Sequence, residues 1–128
     1  MRSSLATAAA LLVALGCAAP TAVAPAGGDG QARAVLDTFA AAVDGGRWGV
    51  AYALLSPRWR ARVTPARLAS DLAASGAVGR DAVRRVRALL AAGVPVPEHG
   101  EVATLAVGEG KAARLVREGA AWRVDALE

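Results

Sequence analysis

The chain predicts an α+β domain, with N-terminal helices packed on a C-terminal antiparallel sheet of about three strands. Three observations carry that prediction. Apolar residues recur at helical spacing from Val35 to Leu90. From residue 101 onward the alternation changes to a period of two. Between the halves lies Val94-Pro95-Val96-Pro97, which must run extended because proline cannot continue a helix and biases the residue before it. Helices first and strands after is the α+β order.

Each element can be justified in turn. Val35, Leu36, Phe39 and Val43 share one side of a first helix. Asp29 is its expected cap, and Asp44-Gly45-Gly46 its exit, through residues that tolerate left-handed backbone. A second helix places Trp48, Ala51, Tyr52 and Leu55 on one face and stops at Pro57, with Ser56 set to cap the next turn. Residues 58–63 alternate as a strand would, but their length and flanks favour a helical turn. Thr64-Pro65 combines a capping hydroxyl with proline at the first helical position, and Leu68 and Leu72 form that helix's apolar side. Residues 80–92 make the clearest helix. Val83, Val86, Leu89 and Leu90 lie on one side, Arg80, Arg84 and Arg87 on another, and Gly93 ends it.

The expected strands are residues 101–107, 112–117 and 121–127, joined by tight turns at Gly108-Glu109-Gly110 and Glu118-Gly119-Ala120. A two-residue turn at Gly119-Ala120 sets Trp122 opposite Arg117 and Val124 opposite Leu115, all on one face. Arg114 then faces Asp125 on the other.

The N-terminus is a different kind of segment. Met1-Arg2 supplies a positive start, and residues 5–15 are apolar apart from Thr7. This is the signal-peptide pattern, too short for a membrane-spanning helix of about 20 residues. Val13-Ala14-Leu15-Gly16-Cys17 resembles the lipobox of bacterial lipoproteins. The resemblance implies cleavage before Cys17, whose thiol then carries a diacylglycerol. Ala18 in place of Asp after the cysteine implies the outer membrane, facing the periplasm. Several acyl chains, at about 0.8 kcal/mol per buried CH₂, hold a protein stably at a bilayer. The expected division is a signal over 1–16, a lipidated cysteine and Ala/Pro/Gly tether over 17–30, and one domain over 31–128. The mature chain, about 110 residues, suffices for one small domain. With its single cysteine used as an anchor, that domain has none for a disulfide.

Hydrophobic residues make up 55% of the chain, but much of that is alanine, so the few aromatics matter individually. Trp48, Tyr52, Trp59 and Trp122 read first as core. Their alternative role is to line a pocket together with Arg117, whose charge falls on the core face beside Trp122. The formal net charge is +4. Eight arginines and only two acids lie between Arg58 and Arg87. This surplus reads as solvated helix faces, or as a basic face toward anionic lipid or a polyanionic partner, with Arg80, Arg84 and Arg87 as its centre. An exported chain meets little nucleic acid, so none is expected as a partner.

Catalytic and cofactor motifs are not found. His99, the one histidine, lies between Pro97 and Gly100 with no neighbouring ligand residue, and reads as an exposed turn residue. No G-x-S-x-G elbow exists. Gly108-Glu109-Gly110-Lys111-Ala112-Ala113 is similar to a dinucleotide loop, but strands flank it on both sides where that loop needs a helix to follow. Asp37, Asp44, Asp71 and Tyr52 are the polar groups nearest the expected inner faces. No metal and no cofactor is expected.

Several segments together resemble the nuclear transport factor 2-like superfamily, in particular small bacterial lipoproteins that carry such a domain. They are Val35-Leu36-Asp37-Thr38-Phe39-Ala40, Gly45-Gly46-Arg47-Trp48, Ala51-Tyr52-Ala53-Leu54-Leu55-Ser56-Pro57 and Ala121-Trp122-Arg123-Val124-Asp125. The resemblance implies a curved antiparallel sheet wrapped by helices into a cone that encloses a pocket, here in reduced form. No catalytic motif of the enzymes on that fold matches. The expected function is a membrane-anchored, non-catalytic interaction module that contacts a protein or the envelope surface. A small-molecule-binding pocket is the alternative, and an enzyme the third.

Overall fold

The computed structural model describes residues 30–127. The expected signal segment, Cys17, Asp29 and all of the tether but Gly30 lie outside these residues. Five helices precede the sheet: α1 (Gly30–Asp44), α2 (Trp48–Ala53), α3 (Pro57–Arg60), α4 (Pro65–Ala74) and α5 (Gly76–Ala91). Four strands follow: β1 (Glu98–His99), β2 (Val102–Gly108), β3 (Lys111–Glu118) and β4 (Ala121–Leu127). They form one antiparallel meander in the order β1-β2-β3-β4. The architecture is α+β, as expected, and residues 58–63 begin as the helical turn. Among the described residues, no helix is long and apolar enough to cross a membrane.

The sheet has four strands where about three were expected. The addition is β1, two residues long and paired to β2 through a turn at Gly100, whose φ is +61°. Two residues are too few to show any alternation, so sequence periodicity is blind to it. His99, expected in a turn, lies exposed on this edge strand.

α1 carries the core. Ala32, Leu36, Phe39 and Ala40 are buried along one side, which meets β4 and the apolar side of α5, Val83, Val86 and Leu90. The sheet contributes Leu105, Leu115, Trp122 and Val124 to the same cluster. Alanines at 32, 40, 42, 51, 103 and 113 are nearly inaccessible. The alanine-rich composition thus serves close approach of backbones as well as helix formation.

Polar groups tie the helix ends. Glu98 accepts from Ala32 N (3.2 Å), setting a carboxylate at the positive end of α1. Arg33 donates to the Val94 carbonyl (2.7 Å) and to that of Leu90, which caps the end of α5. The α5 exit is closed by Gly93 at φ +79°.

Register decides which face each strand residue takes. Arg117 pairs with Trp122 and Leu115 with Val124, as the two-residue turn required. The pairing then slips: Leu115 opposes Val124, but Arg114 opposes Ala126. Asp125 is the extra residue of this bulge and does not face Arg114, which corrects the expected pairing. A bulge turns its side chains away from strict alternation, and Val124 and Asp125 are both buried.

Candidate binding cleft

Residues 54–56 lie along the free edge of β4. Ser56 N donates to the Val124 carbonyl (2.8 Å), and Val124 N to that of Leu54 (2.8 Å). This parallel bridge covers an edge that would otherwise offer unpaired backbone groups. Asp125 holds the junction. Its Oδ1 accepts from Ser56 Oγ (2.7 Å) and Arg58 Nε (3.2 Å), and its Oδ2 from the same guanidinium (3.0 Å). Trp59 Nε1 and Arg58 donate to the Asp125 carbonyl. Ser56 stands at the N-cap of α3, where its hydroxyl makes no cap bond and donates to Asp125.

A second cluster fastens the same helices to the β3–β4 turn. Arg60 donates to both oxygens of Glu118 (2.8 Å each), and Arg123 Nε adds a third bond (3.1 Å). The hydrogen bond from Arg60 is the main cause that holds the Glu118 carboxyl below its usual range; desolvation opposes it, and the Arg60 charge and the hydrogen bond and charge of Arg123 each lower it by less. Tyr52 donates its hydroxyl to the Arg60 carbonyl (3.1 Å).

α4 is placed differently. Thr64 caps it, its Oγ1 accepting from Arg67 N (3.1 Å), with Pro65 in the first turn. None of its residues is buried. Beneath it opens a cleft of about 360 Å³. Leu68 and Leu72 of α4 form one wall, and Phe39, Val43 and Val83 another. Leu55, Trp59, Val124 and Leu127 complete the apolar lining, and Asp71 and Asp125 are the acids at its border. Asp71 is paired with Arg67 (2.8 Å) and Asp125 with Arg58, so neither offers a bare charge. A concave, mainly apolar site with few polar groups is the usual form of a small-molecule pocket.

A neighbouring groove of about 310 Å³ lies between α4, α5 and the α1–α2 turn. It brings Trp48 together with Arg80 and Arg84 and shares Val43, Leu72 and Val83 with the cleft. Arg84 is paired with Asp81 (3.0 Å) and Arg87 with Asp44. Arg80 makes no ion pair among the described residues.

The five residues expected to line one pocket are therefore dispersed. Trp59 borders the cleft and Trp48 the groove. Tyr52 is engaged with Arg60, and Arg117 and Trp122 border neither site. Arg117 stacks on Trp122, its guanidinium carbon 5.0 Å from the ring centroid, and Trp122 is core, 1% exposed. Arg80, Arg84 and Arg87 do lie exposed along one side of α5. Asp125, Phe39 and Val83 were not expected at a site. Leu68 and Leu72 were read only as an apolar helix side, and that unfilled side was the signal available. Asp37 is exposed, and among the described residues no group of three or more His, Cys, Asp or Glu could hold a metal ion. Comparison of the chain with protein-family models, with curated proteins and with solved structures found no match.

Proposed function

We propose that the chain is an exported, lipid-anchored and non-catalytic binding module, and that the cleft under α4 is its binding site for an apolar or amphiphilic ligand. One observation carries this reading. α4 turns Leu68 and Leu72 toward an apolar cleft of about 360 Å³ without burying either. Apolar surface left open in a concave site gains free energy when a ligand removes it from water, at about 25 cal/mol per Å². The anchor is Cys17, on the strength of the Leu15-Gly16-Cys17 pattern after an apolar stretch. The fold is taken as a reduced nuclear transport factor 2-like cone. Helices before an antiparallel meander support this, as do the register shifts in β2–β3 and β3–β4, since bulges bend a sheet. The alternative, a small-molecule-binding pocket, thus comes ahead of the module expected to contact a protein or the envelope surface.

The test is a titration of the full chain with fatty alcohols of increasing length, followed by the fluorescence of Trp59 at the cleft border. Saturable changes that Leu68→Arg abolishes, with the fold retained by circular dichroism, are expected. Identical curves for the parent and Leu68→Arg would remove the cleft as a site.

A further inference from the structure

We infer that the groove beside the cleft holds the head group of an anionic phospholipid, one acyl chain of which lies in the cleft. The inference rests on the binding reading above and names the ligand of that same site. Cleft and groove share Val43, Leu72 and Val83, so the same apolar side chains border both. Only the groove adds cations. Arg80 and Arg84 stand one helical turn apart on α5, at its border.

The neighbouring charges leave that border positive. Asp44, the one carboxylate in the groove lining, is taken by Arg87. Asp81 is taken by Arg84 in an exposed pair, which is weak and readily exchanged. Three arginines against two aspartates leave one positive charge over, carried by Arg80. The Trp48 indole stands at the same groove, a ring suited to the boundary between apolar chain and polar head. Gly46 lines the same end, its φ of +68° in the left-handed region that favours glycine. A phosphate oxygen at Arg80 and Arg84, with carbon running toward Leu72, satisfies both surfaces at once.

A membrane lipid is the occupant that the chain's length favours. Gly30, the first residue of α1, follows Cys17 so closely that an anchored domain stays within about 45 Å of the bilayer. The groove then works within reach of a lipid head-group surface.

The experiment uses the full chain carrying Cys17→Ser, so that no covalent acyl group competes. Indole fluorescence is followed while spin-labelled lysophosphatidylglycerol or lysophosphatidylcholine is added below its micelle concentration, and unlabelled glycerol phosphate is then added as a competitor that reverses the quenching where it binds. The spin label sits on the acyl chain. Quenching by the anionic lipid is expected at lower concentration than by the zwitterionic one. Arg80→Gln and Arg84→Gln are each expected to weaken the anionic lipid about five-fold, and to leave the zwitterionic one unchanged. Both side chains are exposed, so the variants keep the fold. Equal affinity for the two lipids, unmoved by either variant, overturns the head-group assignment and leaves the cleft standing. Glycerol phosphate binding as tightly as the anionic lipid makes the groove a free-phosphate site and overturns the inference as well. Quenching by neither lipid removes the cleft reading itself.

Discussion

α1 and α4 are both amphipathic helices, yet they end in opposite conditions. α1 buries Ala32, Leu36, Phe39, Ala40 and Ala42, while α4 buries nothing. Their sequences do not explain the contrast, since Leu68 and Leu72 are as apolar as Leu36. The difference lies in what each helix meets. α1 runs between β4 and α5 and is enclosed on two sides. α4 touches α2 and α5 at its flanks but has the cleft beneath its apolar side. An apolar stripe stabilises a fold only to the extent that something fills the space in front of it. What α4 leaves unfilled is available to a ligand.

That contrast can be broken from the core side first. Trp122→Ala should destabilise the domain by about 3–5 kcal/mol, the cost of removing a large aromatic from a packed core, measured as the shift in urea midpoint. Asp125→Ala comes next, at about 2–3 kcal/mol, because it strips the buried Ser56 hydroxyl and the Arg58 guanidinium of their acceptor. Leu72→Ala should cost under about 1.5 kcal/mol, since its side chain is only half-buried. A loss at Leu72 as large as that at Trp122 would mean that α4 is packed as tightly as α1. Gly119→Ala should cost about 1 kcal/mol through its turn, where φ is +60°, without touching either helix.

Hydrogen exchange sharpens the same comparison without mutation. Amides of α4 should exchange before those of α1 and β3, because few buried contacts oppose local opening there. A saturating apolar ligand should slow α4 selectively. The smallest effect is one of pH. Glu118 is held low by Arg60 and Arg123, so its contribution to stability is complete above the usual carboxylate range. It is lost as pH falls through the lowered value. Titration of the Glu118 carboxyl by NMR should give a midpoint below the usual glutamate value. The lowering should shrink in Arg60→Gln, where only Arg123 remains beside it.

Much of the fold was legible in particular residues. Thr64-Pro65 announced α4, and the cap bond from Arg67 N is in place. Gly119-Ala120 set the turn, and the turn set Trp122 against Arg117. Short-range signals of this kind survive because backbone geometry enforces them locally. Less of the site was legible. Tyr52 and Trp122 were grouped with Trp48 and Trp59 by chemical type, and Arg117 through its register beside Trp122, but their distances depend on how α2, α3 and β4 meet. Asp125 was set on the wrong face because strict alternation does not foresee a bulge. β1 was missed because two residues carry no period.

By itself the sequence determined the order of helices before strands, the cap at Thr64, the turns that join β2, β3 and β4, and the apolar sides of α1 and α5. All of these are written within a few residues along the chain, where hydrogen-bond reach and side-chain periodicity act. Only the tertiary structure decided which apolar side would be filled. It also decided that Asp125 clamps residues 54–59 to β4, and that Trp48 meets Arg80 and Arg84 across a groove. Those outcomes depend on contacts between distant segments, whose geometry is settled by packing volume and register together.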